Sequence, residues 1–250
     1  MVTPLPPARH LTGLHEAMTH FARDAARAGL DVEVPTCPEW TVRRLIGHQG
    51  AVHRWAHGAL LGTDLEWAPL EKQGRSSADP IEWLRDGAID LVTTLVAAAD
   101  DVEAPVFLLE APPAKQFWTR RQCHETTIHA VDALAATLGR PPRAEETWIG
   151  SDLALDGVDE LLCGFVPREK SRLRATSPVT LGMVATDVDH GWTVHITAQA
   201  PVTTRVSPDE AAAADAVLTG TASQLYLALW HRSDELTSDI WPLWHDSAVH

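Results

Sequence analysis

Three side chains in this sequence could meet at one point and bind a cation. On a helix expected from about Thr41 to Leu61, positions Thr41, Leu45, His48, Val52, Trp55 and Ala59 share one narrow stripe at about 100° per residue. His48 is therefore an imidazole in the middle of an apolar face. It needs a partner there, because an unpaired polar group is costly to bury. A core histidine hydrogen-bonded to backbone meets that need equally well, so His48 alone defines no site. On a later helix, expected from about Gln116 to Leu138, Glu125 and His129 stand four residues apart. They lie one above the other and can present a carboxylate oxygen and an imidazole nitrogen to the same point. Three protein ligands with a fourth position open is the arrangement of a catalytic zinc site.

Other readings compete with this one. An ExxxH pair also occurs as a surface ion pair. The aliphatic stripe of the same helix, Ile128, Val131, Leu134 and Leu138, points away from Glu125 and His129, so periodicity alone lets them face solvent. Trp118, Gln122 and Ala136 share their face. Asp132 could orient a ligand imidazole from behind, but a solvated or structural acid is the simpler expectation. His53 and His57 are also four apart; they lie nearly opposite the His48 stripe and read as a solvated face. His15 and His20 read as structural or surface residues. With 13 histidines in the chain, spacing singles out no pair. Cys37, Cys123 and Cys163 are far apart and form no CxxC pair, which points to buried, reduced thiols and a cytoplasmic protein. No GxSxG, Walker loop or Gly-rich dinucleotide fingerprint is present.

The elements that must position these residues are mostly helices at first. Apolar positions recur at helical spacing from about Thr12 to Ala28, and Gly29 stops them. Val34 to Trp40 holds two prolines and reads as an extended loop. After the His48 helix, closed by Gly62, a polar loop with Gly74, Ser76 and Ser77 is expected. Asp79-Pro80 opens a third helix, about Ile81 to Ala99, as a cap followed by a proline at the first helical position. Pro105, Pro112 and Pro113 break the chain before the fourth helix, which Gly139 and Pro141-Pro142 end. Four helices joined in this way suggest an antiparallel bundle.

The texture changes after Pro142. Asp152 to Phe165 reads as a helix. Val179 to Asp187 and Trp192 to Thr197 are strand-like, with a hairpin signal at Asp189-His190-Gly191. Val202 to Val206 is a third strand, Ala216 to Leu218 a short fourth, and Thr221 to His231 a helix. The expected fold class is α+β, with an N-terminal helical bundle over residues 1–143 and a small α+β domain over 144–250.

Composition bounds the function. A formal net charge of -14 repels phosphate backbones and argues against a nucleic-acid partner. No apolar run is long enough to cross a membrane. Met1 to His10 is proline-rich without an apolar core, so a signal peptide is not expected.

Three segments in order resemble one known family. Val34-Pro-Thr-Cys-Pro-Glu-Trp-Thr-Val, followed by Arg44-Leu-Ile-Gly-His48, looks like the N-terminal hallmark of the mycothiol-dependent maleylpyruvate isomerases. Cys123-His-Glu125-Thr-Thr-Ile-His129-Ala-Val-Asp132 matches their ExxxHxxD segment. Leu218 to Arg232 matches their C-terminal signature, an apolar helix ending in tryptophan, usually glycine, and arginine. The resemblance spans nearly the whole chain. It implies a DinB-like four-helix metal-binding domain followed by a smaller α+β domain. It implies zinc, or another divalent metal, held by His48, Glu125 and His129, with mycothiol as the thiol cosubstrate. A coordinated thiol loses its proton near neutral pH. The implied reaction is thiolate addition to a cis double bond, rotation, and elimination to the trans product. Arg232 is the residue implied to hold a substrate carboxylate, which arginine does in a bidentate fashion.

Two features depart from the pattern. His231 stands where glycine is usual, and the segment from Thr237 lacks the expected glycine-containing turn. The expected function is therefore a zinc- and thiol-dependent isomerase or S-transferase acting on a small electrophilic substrate. A non-catalytic metal- or small-ligand-binding protein is the first alternative, and a metal-dependent hydrolase the second. The sequence leaves substrate and oligomeric state open.

Overall fold

The computed structural model describes residues 5–244. The chain divides into two compact units. One is Pro6–Val106 with Ala111–Pro142. The other takes Phe107–Glu110 and the described chain from Arg143 onward.

The first unit is helical. Its helices are α1 (Pro7–Ala28), α2 (Val42–Leu60), α3 (Trp67–Ser76), α4 (Pro80–Ala97) and α5 (Ala114–Leu138). Local chemistry sets their ends. Pro7 sits in the first turn of α1, and Gly29 leaves it at φ 93°. The Thr41 side chain caps α2 by accepting from the Arg44 amide. Asp79 does the same for α4 through the Glu82 amide at 3.1 Å, with Pro80 behind it. Gly139 ends α5 in the left-handed region at φ 68°.

The four long helices pack as a bundle. Helix α1 lies along α5, and α2 touches α3, α4 and α5. Their shared core includes Leu14, Phe21, Leu45, Ile46, Leu84, Leu91, Trp118 and Val131. Trp83 of α4 wedges between Gly50 of α2 and Gly74 of α3, and a Cβ on either glycine would run into its indole. Sequence reading placed a polar loop where α3 lies. The helix is short, buries only Gly74 and contains Pro69 and Gly74, residue types that signal a loop and outweigh its helical spacing.

Helix α5 overturns a second expectation. Of its 25 residues, 19 are buried, and they occupy every side of the helix. Eight of these are polar or charged, including Arg121, Gln122, His124, His129 and Asp132. A helix buried all round presents no single apolar stripe. The side away from Ile128 and Val131 is therefore interior, not solvent.

The second unit is α+β. Helix α6 (Ser151–Asp159) runs on into a π-helical turn, Glu160–Phe165. A four-stranded sheet follows, built from β1 (Val179–Ala185), β2 (His190–Ile196), β3 (Val202–Val206) and β4 (Ala216–Gly220), in the order β3-β2-β1-β4. Strands β1 and β2 form an antiparallel hairpin with Val179 opposite Ile196 and Ala185 opposite His190. Strand β4 is parallel to β1 and is reached by way of β2, β3 and a short helix, α7 (Pro208–Ala212). Helix α8 (Ala222–Leu229) has a capping box of Thr221 and Gln224. A last turn, α9 (Trp241–Trp244), closes the described chain.

The Phe107–Glu110 segment belongs to this second unit through specific bonds. The Leu109 amide donates to the Gly164 carbonyl at 3.4 Å. Glu110 pairs with Arg205 at 3.3 Å, and Arg205 in turn grips buried Asp159 at 2.6 and 2.9 Å. A single cut in the sequence near residue 143 misses this excursion, because its ties are to residues more than 50 positions away.

Candidate metal centre

The three expected ligands lie together within the helical unit. Ligand atoms of His48, Glu125 and His129 are all within 4.8 Å of one another. Glu125 Oε1 is 3.3 Å from His129 Nε2 and 3.8 Å from His48 Nε2. The two imidazoles are 4.9 Å apart between centroids and nearly perpendicular. Helix geometry explains the pair on α5, and the packing of α2 against α5 brings His48 to it. His48 and Glu125 keep 22% and 25% of their side-chain surface, so the cluster has an accessible side.

The supporting contacts are specific. His129 Nδ1 donates to Asp132 Oδ2 at 2.8 Å, and the other Asp132 oxygen accepts from Thr36 Oγ1 at 2.6 Å. Asp132 is fully buried. The expectation of a solvated or merely structural acid gives way here to the orienting geometry. Its carboxylate holds the Nδ1 proton and turns Nε2 of His129 toward Glu125, where it can ligate a cation once its own proton is lost. Arg121, also buried, holds Glu125 Oε2 at 3.0 Å.

Charge follows from these contacts. Burial opposes a proton on His129, but the bonds to Asp132 and Glu125 outweigh it and raise its pKa to about 9. Burial works to raise Glu125. The neighbouring His129 and His48 imidazoles and the Arg121 charge prevail and hold it well below the usual carboxylate range. His48 is lowered, mainly by burial. The donor set of two imidazole nitrogens and one ionised carboxylate, with further polar support behind each side, suits a divalent cation of the zinc class.

The loop before α2 completes the surroundings. Glu33 and Thr41 form an antiparallel bridge that pinches it shut. Cys37 and Trp40 amides donate to the Val34 and Cys37 carbonyls at 3.0 Å each. Glu39 takes φ 68°, a left-handed backbone that reverses the chain just before Trp40. The Trp40 ring then packs 4.9 Å from His48 and lies nearly parallel to His129 at 6.2 Å. Trp67 of α3 covers the other side of His48 at 5.2 Å. Sequence reading did not assign Thr36, Trp40, Trp67 or Arg121 to the centre; the motif around Thr36 and Trp40 was the available signal.

Two further histidines, His53 and His57, lie on α2. His53 is fully buried, not solvated. It bonds with Gln49 at 2.8 Å and Thr126 at 2.9 Å, tying α2 to α5 one turn beyond His48. Burial holds it neutral, with a pKa of about 3. The far face of α2 is interior because three helices pack around α2. His57 is half-buried, with Nδ1 2.8 Å from Thr94 Oγ1. Arg232 lies in the other unit, where its guanidinium donates to the Trp230 carbonyl at 2.6 Å. His231, the residue in place of the usual glycine, has φ 59°. The chain keeps there the backbone that glycine favours.

Two family models match this chain. The mycothiol maleylpyruvate isomerase N-terminal domain covers residues 11–134, and the corresponding C-terminal domain covers 152–240. The chain belongs to this family. Two solved structures share the fold. One is a crystal structure of the mycothiol-dependent maleylpyruvate isomerase, at 17% identity and TM-score 0.61, over 94% of this chain and 93% of that one. The other is a histidine-to-alanine mutant of that isomerase, at 16% identity with the same coverage and TM-score. No curated protein matches in sequence. The family's N-terminal model spans all three ligand positions, and its C-terminal model spans Arg232.

Proposed function

We propose that this chain is a zinc- and thiol-dependent enzyme, an isomerase or S-transferase acting on a small electrophilic carboxylate with mycothiol as the thiol. One observation carries the reading: two imidazoles and a carboxylate converge within 4.8 Å in a chain of this family. His48, Glu125 and His129 are the residues that would hold the metal. When bound, it supplies a Lewis acid that favours the thiolate over the thiol near neutral pH. The remaining work falls to the protein. Asp132 fixes the orientation and tautomer of His129. Arg121 keeps Glu125 ionised and aimed. Trp40 and Trp67 flank His48 and limit water there. The two units are read as separate contributors, with Arg232 of the second holding substrate carboxylate.

The departure at His231 motivates a non-catalytic alternative. Its left-handed φ weakens that alternative, since the main chain follows the glycine path despite the substitution. The deciding experiment pairs metal analysis with turnover. The full chain, purified without chelator, is expected to carry about one zinc, and His48→Ala with His129→Ala is expected to lose it. Mycothiol and a panel of cis-alkene carboxylates are expected to give isomerisation or thiol adducts that require both metal and Arg232. Metal-free wild-type protein, or activity that needs no thiol, overturns the proposal.

A further inference from the structure

We propose that Arg44, seated on Trp40, is a carboxylate-binding residue of the metal centre, so that the helical unit carries an anion site of its own. The use of that site rests on the thiol-dependent reading above; its chemistry does not. Arg44 precedes His48 by one turn on the same side of α2. Its guanidinium carbon lies 4.8 Å from the Trp40 ring. That same ring lies 4.9 Å from His48 and 6.2 Å from His129. A single indole therefore lies beside the cation and both ligand imidazoles.

Arg44 is a cation without a counter-charge. Among the described residues, no carboxylate or carbonyl accepts from its side chain. Its Nε is shielded from solvent and has no hydrogen-bond partner. The bond from its backbone amide to Thr41 Oγ1 caps α2 and leaves the side chain unpaired. Other arginines of the unit are engaged: Arg23 with Asp24, Arg43 with Asp31, Arg54 with the Gly50 and Trp83 carbonyls, and Arg121 with Glu125.

Two acids of the centre are already engaged. Glu125 is held by Arg121 and the two histidines, and Asp132 by His129 and Thr36. A shielded guanidinium N–H with no acceptor is costly unless a ligand supplies one. The planar fork of arginine fits a carboxylate with two parallel bonds, and the indole beneath it fixes the plane. The ligand class is thus a small organic anion with its carboxylate on Arg44 and its carbon frame along Trp40.

Calorimetric titration with maleate tests this, using the full chain as purified, with its uncharged dimethyl ester as the control. Arg44→Gln is expected to weaken maleate about tenfold or more, and Arg44→Lys to recover part of the loss. Ester binding, metal content and the circular dichroism spectrum are expected to stay unchanged. Equal maleate affinity in wild type and Arg44→Gln overturns the proposal, as does a wild type that does not bind maleate. Loss of metal in both variants assigns Arg44 a structural role and overturns it too. Arg44-dependent maleate binding by a protein that holds no metal leaves this inference standing while the zinc reading fails.

Discussion

Replacing Asp132 with asparagine separates two opposed effects at the metal centre. The substitution keeps the shape and removes the charge that His129 Nδ1 meets at 2.8 Å. A hydrogen bond to a charged group is worth about 1.5–3 kcal/mol, or roughly 10–100-fold in affinity. Carboxylates behind metal-binding histidines show losses of that order, about 10–100-fold. Asp132 also does the reverse. It is the largest of the influences that raise His129 to about 9, so at pH 7.5 the site must expel a proton before His129 can bind. With a pKa near 9, that competition weakens apparent affinity by ~30-fold at pH 7.5 and hardly at all at pH 9.5. The two effects are of similar size and opposite sign at the lower pH. Chelator-buffered zinc titrations should therefore show Asp132→Asn roughly 10–100-fold weaker than wild type at pH 9.5, with much of the gap closed at pH 7.5. A ratio that does not change with pH refutes the reasoning, as does a variant that binds more tightly at pH 9.5.

The same protonation pattern fixes the proton count of metal binding. At pH 7.5 Glu125 is already ionised and His48, lowered by burial, is neutral, while His129 is protonated. Zinc binding should release about one proton, read from the dependence of calorimetric heats on buffer ionisation enthalpy, and heats independent of buffer contradict it. Two glycines should rank by mechanism. Gly139→Ala meets nothing within 4 Å and pays only for its φ of 68°, about 1 kcal/mol. Gly50→Ala drives a methyl into the Trp83 indole and should cost about 1–3 kcal/mol. Urea unfolding that reverses this order shows that the Trp83 wedge yields more readily than its packing suggests.

The legible parts of this protein were those written in local chemistry. Caps and breakers, such as Asp79-Pro80 and Gly139, announced helix ends in the sequence because they act within one turn. The β1-β2 hairpin was visible for the same reason. His48 stood out because α2 has an apolar stripe to carry it, and the spacing of Glu125 and His129 follows from the helix itself. Helix α3 stayed hidden, since it is short and its Pro69 and Gly74 read as loop residues.

What only the tertiary structure decided is which faces are inside. Asp132, His53 and the Glu125 side of α5 read as solvated from periodicity, because a polar residue on a non-aliphatic face defaults to water. Helix α5 is instead enclosed on all sides, so its polar residues had to find partners, and Thr36, Gln49 and His53 supply them from a distant loop and the neighbouring helix. The sequence by itself determined the ligand types and the spacing of two of them on one helix. Packing of α2 against α5, and the loop that aims Trp40, turned those residues into a centre, since atoms 77 and 81 residues from His48 meet it only when the bundle closes.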